Sequence, residues 1–402
     1  MADHRPRAII VGGGIGGVAS AVALGRAGLD VAVFEQAPEL REVGAGLTLW
    51  PNAMTALRCL GLDESVWALG RSFGVGRIHD QDGRVLVEGA NREALERRFG
   101  WPGTVLHRTR LLAALAAPLS PPTIRLGARC VGFDQDDRGV TVHFADGTRE
   151  RGDLLVGADG LNSAIRTGLL GDGPPRYAGY AAYRGITSFS LEGDVAYETW
   201  GRGRRFGFVP GPDGDVFWWA ATTVAEGRRP PPGRLKDALL SLFRGWFAPI
   251  EKVIERTREE SILHNDIYDR LPGRRCVSGR VALVGDAAHP VTPDLGQGAC
   301  LAIEDAVVLA LSLQGSPDPR AGLLAYQARR YRRTRFLTAQ SRAMGRLGQV
   351  RNPVLCRLRN ALVPLVPLPL AMLWLSWQFQ FTPGPSGRLP EPPVSCPPVA
   401  MD

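Results

Sequence analysis

The chain has 402 residues, 45% of them hydrophobic, enough for two or three cores rather than one. Its formal charge is +8, yet the basic residues are scattered arginines and only Lys236 and Lys252 are lysines. No basic stripe interleaved with aromatics appears, which argues against a nucleic-acid partner, and six cysteines without a C-x-x-C pair indicate neither a zinc site nor a disulfide framework.

Ala8 to Val11 is an apolar run of strand length that enters Gly12-Gly13-Gly14-Ile15-Gly16-Gly17, after which Val18, Ala21, Val22 and Leu24 recur at helical spacing. Strand, turn and helix are therefore expected. In this G-x-G-x-x-G spacing Gly12 permits a tight turn, Gly14 lets a pyrophosphate approach the backbone, and Gly17 lets the helix pack on the strand. Phosphates placed there meet unpaired N–H groups and the positive end of the helix dipole. Leu29 to Phe34 reads as a second strand ending at Glu35, where an acid binds the ribose hydroxyls of a dinucleotide. A carboxylate repels a 2'-phosphate, so the adenosine of FAD or NAD is favoured over NADP. A glycine-rich turn without a ligand is the competing reading.

Further along, Ile78 to Glu88 reads as a hairpin around Asp82-Gly83, and His107 to Ala117 as a helix with Arg108 at its N-terminal end. Residues Thr123 to Glu150 alternate apolar and polar. Asp153 to Val156 is a short buried strand leading into Gly157-Ala158-Asp159-Gly160. From Pro174 to about Arg270 the texture changes to aromatic-rich strands with one amphipathic helix near Leu235 to Phe247. Gly279 to Val284 is again a core strand, followed by Gly285-Asp286, by Pro293-x-x-Gly296-Gln297-Gly298 and by a helix over Gly298 to Leu313.

The fold class expected is α/β: a Rossmann-like nucleotide-binding domain, an inserted and mostly antiparallel β domain, and a C-terminal helical region. The boundaries are 1–173 and 273–350 for the nucleotide-binding domain, with the hairpin of 74–100 joining the inserted domain of 174–272. An apolar helix is expected over 351–381 and a Pro-rich disordered tail over 382–402. Ala361 to Phe379 approaches membrane-spanning length, but Pro364, Pro367 and Pro369 interrupt it, so packing across the back of the nucleotide-binding domain is favoured over membrane contact. Met1 to Arg7 is polar and carries no secretory signal; a cytoplasmic enzyme is expected.

Taken in order, Gly12 to Glu35, Gly157 to Arg166 and Gly285 to Ala306 resemble the three motifs of the single-component, class A flavoprotein monooxygenases of the para-hydroxybenzoate hydroxylase fold. The likeness runs from about Arg7 to Val350. It implies that the first motif binds the ADP half of FAD, that Asp159-Gly160-x-x-Ser163-x-x-Arg166 supports FAD and NADPH binding, and that Asp286 meets the ribityl chain. Arg108 would lie against the FAD phosphates or ribityl, and Arg41 to Ala45-Gly46 would line the flavin. The helix beginning near Gly298 would aim its N-terminus at the edge of the reduced flavin that carries negative charge. The FAD-binding candidates are thus Gly12, Gly14, Gly17, Glu35, Arg41, Ala45, Gly46, Arg108, Asp159, Asp286 and Gly298. Asp286 also reads as a turn residue, Arg108 as a surface residue, and Asp159 with Arg166 as a local salt bridge. His289, beside Pro290, reads as structural rather than as a base.

The chemistry implied by the resemblance is reduction of FAD by NADPH or NADH, addition of O2 at C4a, and delivery of one oxygen atom from the hydroperoxide to a bound small molecule. No second G-x-G-x-x-G appears, which suits transient nicotinamide binding. Aromatics of the inserted domain (Tyr180, Tyr183, Tyr197, Trp200, Phe206, Phe208, Phe217, Trp218, Trp219) alternate between two faces, and periodicity does not say which meets the substrate. Arg184 stands where related enzymes point an arginine into the active site, to orient a substrate oxygen or steady the hydroperoxide; an ordinary strand salt bridge competes. Arg204 and Arg205 are alternates. Hydroxylation of an aromatic or polycyclic compound of specialised metabolism is expected. Alkene epoxidation is the alternative, since the segment WGRGRRFGFVP resembles zeaxanthin-epoxidase-like members. A flavin halogenase is disfavoured by the missing W-x-W-x-I-P motif, and a non-catalytic flavin-binding protein is the remaining class.

Overall fold

Apolar runs buried on both faces build a central parallel sheet, ordered Val277–Ser278, Val281–Leu283, Leu154–Gly157, Arg7–Val11, Asp30–Phe34 and Ile124–Arg125, in which only the first strand runs antiparallel. The computed structural model describes residues 5–40, 46–191, 193–270, 273–384 and 389. Its helices are α1 (Ile15–Arg26), α2 (Pro51–Cys59), α3 (Asp63–Trp67), α4 (Arg92–Phe99), α5 (Arg108–Ala116), α6 (Ala164–Leu170), α7 (Leu235–Phe243), α8 (Ile250–Arg256), α9 (Gly298–Gln314), α10 (Pro319–Gly348), α11 (Pro353–Leu362) and α12 (Leu368–Phe379).

One face of the central sheet, with Ala8, Ile10, Val33 and Val156, packs on α1, α2, α5 and α9. The other, with Ile9, Val11, Phe34 and Leu155, packs on Val140, Val142 and Phe144 of a small antiparallel sheet. Each strand thus sits between two apolar layers, which is why these runs carry so little polar alternation.

A second sheet has seven strands, ordered Leu263–Asp269, Arg176–Ser188, Asp215–Thr222, Arg204–Pro210, Val195–Trp200, Val75–Asp80 and Val85–Glu88. All its pairings are antiparallel except that of Val195–Trp200 with Val75–Asp80. Tyr183, Phe206, Phe208 and Trp218 face α7 and α8, against Leu239, Phe243, Ile250 and Ile254. On the opposite face Ile186, Val209, Phe217 and Trp219 meet Phe73, Val105 and Trp50 of the half built on the central parallel sheet.

Two elements differ from expectation. The helix expected near Leu235 to Phe247 ends at Phe243, and α8 follows as a separate element after Gly245, which adopts φ +74°. The single helix expected over 351–381 is two helices bent by 92°, because Pro364 and Pro367 supply no backbone donor to continue the first. Among the described residues no single helix is long and apolar enough to cross a membrane.

Candidate active site

The three glycine-bearing segments converge, and their glycines are demanded at specific places. At Gly12, with φ +107°, a Cβ would lie 2.3 Å from the carbonyl oxygen of Ala158; at Gly17 it would lie 1.8 Å from that of Gly12. The first segment therefore rests directly on the second. Gly14 is the N-cap of α1, without side-chain capping or an acid in the first turn, so the leading N–H groups remain available for an anion. Glu35 leans over this turn: Oε2 accepts the Gly13 N–H and Oε1 accepts that of Ala37 at 2.8 Å. A carboxylate has about four acceptor sites, so Glu35 keeps capacity for further hydroxyls.

Second and third segments are joined by Arg166. Its Nη1 donates to the carbonyl oxygens of Ala287 and Ala288 at 2.9 and 2.7 Å, while its Nε and Nη2 pair with Asp172. The competing reading of a local salt bridge between Asp159 and Arg166 does not hold, because Arg166 pairs with Asp172. Asp159 instead accepts from Ser163 Oγ and, at 3.2 Å, from the Ile165 N–H at the start of α6, which turns Arg166 toward the third segment. Burial pushes the Asp159 carboxyl above the usual carboxylate range, with those hydrogen bonds opposing.

Gly285 (φ +55°) opens the third segment, and its N–H is held by Asp305 Oδ2 at 2.8 Å. The same oxygen meets His289 Nε2 at 2.6 Å, which ties His289 to the turn. Asp286 is exposed to solvent at the head of the third segment. Burial raises its pKa, and His289 and Arg108 pull in the opposite direction. Arg108, at the start of α5, is half-buried; desolvation lowers its pKa, Asp286 opposes this and Arg184 reinforces it.

Arg184 therefore joins the cluster from Arg176–Ser188, the strand next to one edge of the seven-stranded sheet. Its Nη2 donates to Asn265 Oδ1 at 2.8 Å, burial lowers its pKa, and among the described residues no carboxylate forms an ion pair with it. Trp219 is its neighbour on the adjoining strand. The alternates sit elsewhere: Arg204 donates to the Leu242 carbonyl at 2.8 Å, and Arg205 is buried between Glu198 and Asp294, whose Oδ2 also accepts the Tyr180 hydroxyl at 2.7 Å.

Gly46 opens a strand paired to Thr104–His107, and a Cβ there would fall 1.8 Å from the Phe217 ring. The seven-stranded sheet thus reaches the nucleotide-binding half through an aromatic ring lying on a bare backbone. Arg41 and Ala45 lie outside the described residues. Gly298 begins α9, whose N-terminus has neither side-chain capping nor an acid in its first turn. A Cβ on Gly298 would meet Val291 at an ordinary 3.7 Å, so among the described residues no neighbour demands glycine there.

Sequence reasoning missed one cluster. Glu304 and Asp305 are fully buried on α9; Arg330 binds both at 2.6 Å, and Arg333 and Asn52 bind Glu304 at 2.6 and 2.7 Å. Asn52 in turn reaches Gln297, immediately before Gly298, at 2.9 Å. Burial alone would raise both carboxyls, but the arginines, with His289 at Asp305, hold them below their usual range. The signal was Glu304-Asp305 itself, two acids inside the apolar run GACLAIEDAVVLALSLQ.

A family model described as "FAD binding domain" matches residues 6–183 and 206–341. The chain belongs to the class A FAD-dependent aromatic hydroxylases. This monooxygenase is 42% identical over 377 residues to aurachin C monooxygenase/isomerase of Stigmatella aurantiaca, covering 93% of this chain and 98% of the relative. It is 35% identical over 373 residues to 2-heptyl-3-hydroxy-4(1H)-quinolone synthase of Pseudomonas aeruginosa, covering 89% and 94%. Klebsiella pneumoniae HpxO, solved with FAD and uric acid, superposes with a TM-score of 0.88 at 30% identity, covering 94% of this chain and 97% of that one. The monooxygenase is accordingly a flavoprotein with FAD as cofactor and NADPH or NADH as co-substrate. The residues present fit that cofactor: an open helix N-terminus for phosphates, an acid beside it, and Arg108 and Asp286 within electrostatic reach of each other.

Proposed function

We propose that this monooxygenase hydroxylates a fused heteroaromatic compound bearing an apolar substituent, with Arg184 binding an oxygen of that substrate. The observation that carries the reading is Arg184 itself. A half-buried guanidinium with one amide partner, in the sheet whose apolar side chains toward the other half include Ile186, Val209, Phe217 and Trp219, suits a mostly apolar ligand that presents one oxygen acceptor. A relative's name, 2-heptyl-3-hydroxy-4(1H)-quinolone synthase, denotes a product of that chemical shape. The same arginine disfavours the epoxidase alternative, because a hydrocarbon alkene offers it no acceptor.

In this reading residues 1–173 and 273–350 hold FAD, and 174–272 with the hairpin of 74–100 cover the substrate. Gly12, Gly14 and Gly17 bring the pyrophosphate to the N-terminus of α1, and Glu35 binds the adenosine ribose. Arg108 and Asp286 bind the phosphate–ribityl portion, Gly46 with Arg41 and Ala45 borders the flavin, and Asp159 shapes the loop against which the cofactor lies. The N-terminus of α9, opened by Gly298, faces the negatively charged edge of the reduced ring. Bound FAD, once reduced by the nicotinamide, supplies activation of O2 and transfer of one oxygen atom. The chain's own part is to orient the ring, exclude water and place the Arg184 charge beside the reacting carbon's oxygen substituent. We place this activity in the cytoplasm, where reduced nicotinamide is available.

The test is NADPH and NADH oxidation by FAD-loaded protein with phenols, indoles, alkyl-4-quinolones and polyenes, with peroxide followed in parallel. Stimulation by quinolones at low peroxide supports the reading. Stimulation by polyenes alone overturns it in favour of epoxidation.

A further inference from the structure

The two C-terminal helices each turn an apolar stripe to solvent. Along α11, Val354, Leu358 and Leu362 form an outward stripe at i, i+4 and i+8, while Cys356 and Arg359 face the body of the protein. Along α12, Leu370, Leu373 and Trp377 form a second stripe at i, i+3 and i+7, while the polar Ser376 and Gln378 are buried. Leu365, in the turn between them, is 71% exposed, and Trp377 is 60% exposed. Single exposed leucines need no explanation, but two consecutive helices that each turn an apolar stripe outward mark a surface for another apolar phase.

Charge identifies that phase. From Pro319 to Gly384 the sequence has eleven arginines, no lysine and no acidic residue. Several of those arginines are spent inside the fold, on Glu304, Asp305 and Asp269. Arg351 and Arg357, which flank the α11 stripe, are exposed and form no ion pair among the described residues. Leucines bordered by arginine, with a tryptophan at the far end, match the interface of a bilayer with anionic headgroups rather than an acidic protein groove, which would need donors and acceptors the stripes lack.

We propose that α11 and α12 dock this enzyme peripherally on an anionic lipid surface, lying in the headgroup region without spanning it. The helices are firmly tied to the body. Arg333 donates to the carbonyls of Trp377 and Gln378 at 2.9 Å and binds Glu304 of α9, while Phe379 stacks on Trp50 at 4.8 Å between ring centroids. Trp50 Nε1 in turn donates to the Leu295 carbonyl at 3.1 Å, in the loop before Gly298. Docking would therefore place the cofactor half directly over the membrane. The proposal is independent of which substrate is hydroxylated.

The experiment is vesicle flotation of the FAD-loaded full chain on phosphatidylcholine alone and with a 30:70 phosphatidylglycerol mixture (roughly physiological anionic content), with size-exclusion light scattering alongside. Wild type is expected to float with the anionic vesicles, less at high salt, and Leu365→Glu/Leu373→Glu to lose flotation while retaining FAD and NAD(P)H oxidation. Arg351→Gln and Arg357→Gln are each expected to weaken binding about fivefold. Flotation that survives the leucine substitutions, or no flotation at all, overturns the proposal. A dimer dissolved by the same substitutions assigns the stripes to a second copy instead. Flotation gained only when residues 390–402 are deleted shows that the chain's own terminus covers them and equally overturns it.

Discussion

Arg166 donates to the carbonyl oxygen of Ala288 at 2.7 Å, and through that bond the loop after one parallel strand fixes the turn after its neighbour. The guanidinium is 2% exposed and carries the Asp172 pair as well. Two of the three glycine-bearing segments thus owe their relative position to one side chain.

Arg166→Ala leaves both carbonyls and Asp172 without their donor. It is expected to destabilise the apoprotein by about 2 kcal/mol and to weaken FAD binding. Urea denaturation and a flavin fluorescence titration measure the two effects.

Gly17 and Gly298 separate fold from ligand. Gly17→Ala places a methyl 1.8 Å from the Gly12 carbonyl and is expected to prevent folding of the turn, whereas Gly298→Ala meets only Val291 at 3.7 Å. Alanine inside a helix is favoured over glycine by about 0.5–1 kcal/mol, so Gly298→Ala should match or exceed wild-type apo stability while binding FAD less tightly. Weakened FAD binding with an unchanged melting temperature is the outcome that places the α9 N-terminus at the cofactor.

Gly46 and Phe217 form a pair across the two halves. Gly46→Ala is expected to cost about 1–3 kcal/mol by forcing the ring away, and Phe217→Ala in the same chain should recover part of that loss. A double-mutant cycle on thermal stability reads the coupling.

Acid stability follows from opposite shifts. Glu304 and Asp305 have folded pKa values below their ordinary 4.5 and 3.8, so their contribution is complete above those values and is lost as pH falls through them and beyond. Asp286 is shifted upward, so the folded apoprotein keeps its proton to higher pH than the unfolded chain, and stability from this group fades as pH rises through the folded value. Asp286→Asn should therefore stabilise the apoprotein at neutral pH while weakening FAD about tenfold or more. Glu304→Gln should cost about 3–5 kcal/mol, because Arg330 and Arg333 lose their shared carboxylate.

What could be read from the chain divides by the range of the interaction. The glycine turn, the second strand ending at Glu35, the helix beginning at Arg108 and the α9 helix were legible because backbone conformation and burial at those places are dictated by a few consecutive residues. The partner of Arg166 was not, since Ala287 lies 121 residues away and offers only a carbonyl. Nor could periodicity assign Phe217 and Trp219 to one face and Phe206 and Trp218 to the other, because strand alternation leaves both registers equally apolar. The thirty-residue α10 escaped notice for a different reason: its buried positions include Arg330, Thr334, Thr338 and Ser341, so no apolar stripe marks it.

The most direct test of the account is turnover under 18O2 with an alkyl-4-quinolone, comparing wild type with Arg184→Met. The account predicts one labelled oxygen atom on the ring per NAD(P)H consumed by wild type, and in the variant continued NAD(P)H oxidation that appears largely as peroxide, with the quinolone bound about ten- to a hundredfold more weakly. Unlabelled product, or full coupling and unchanged affinity in Arg184→Met, would contradict it.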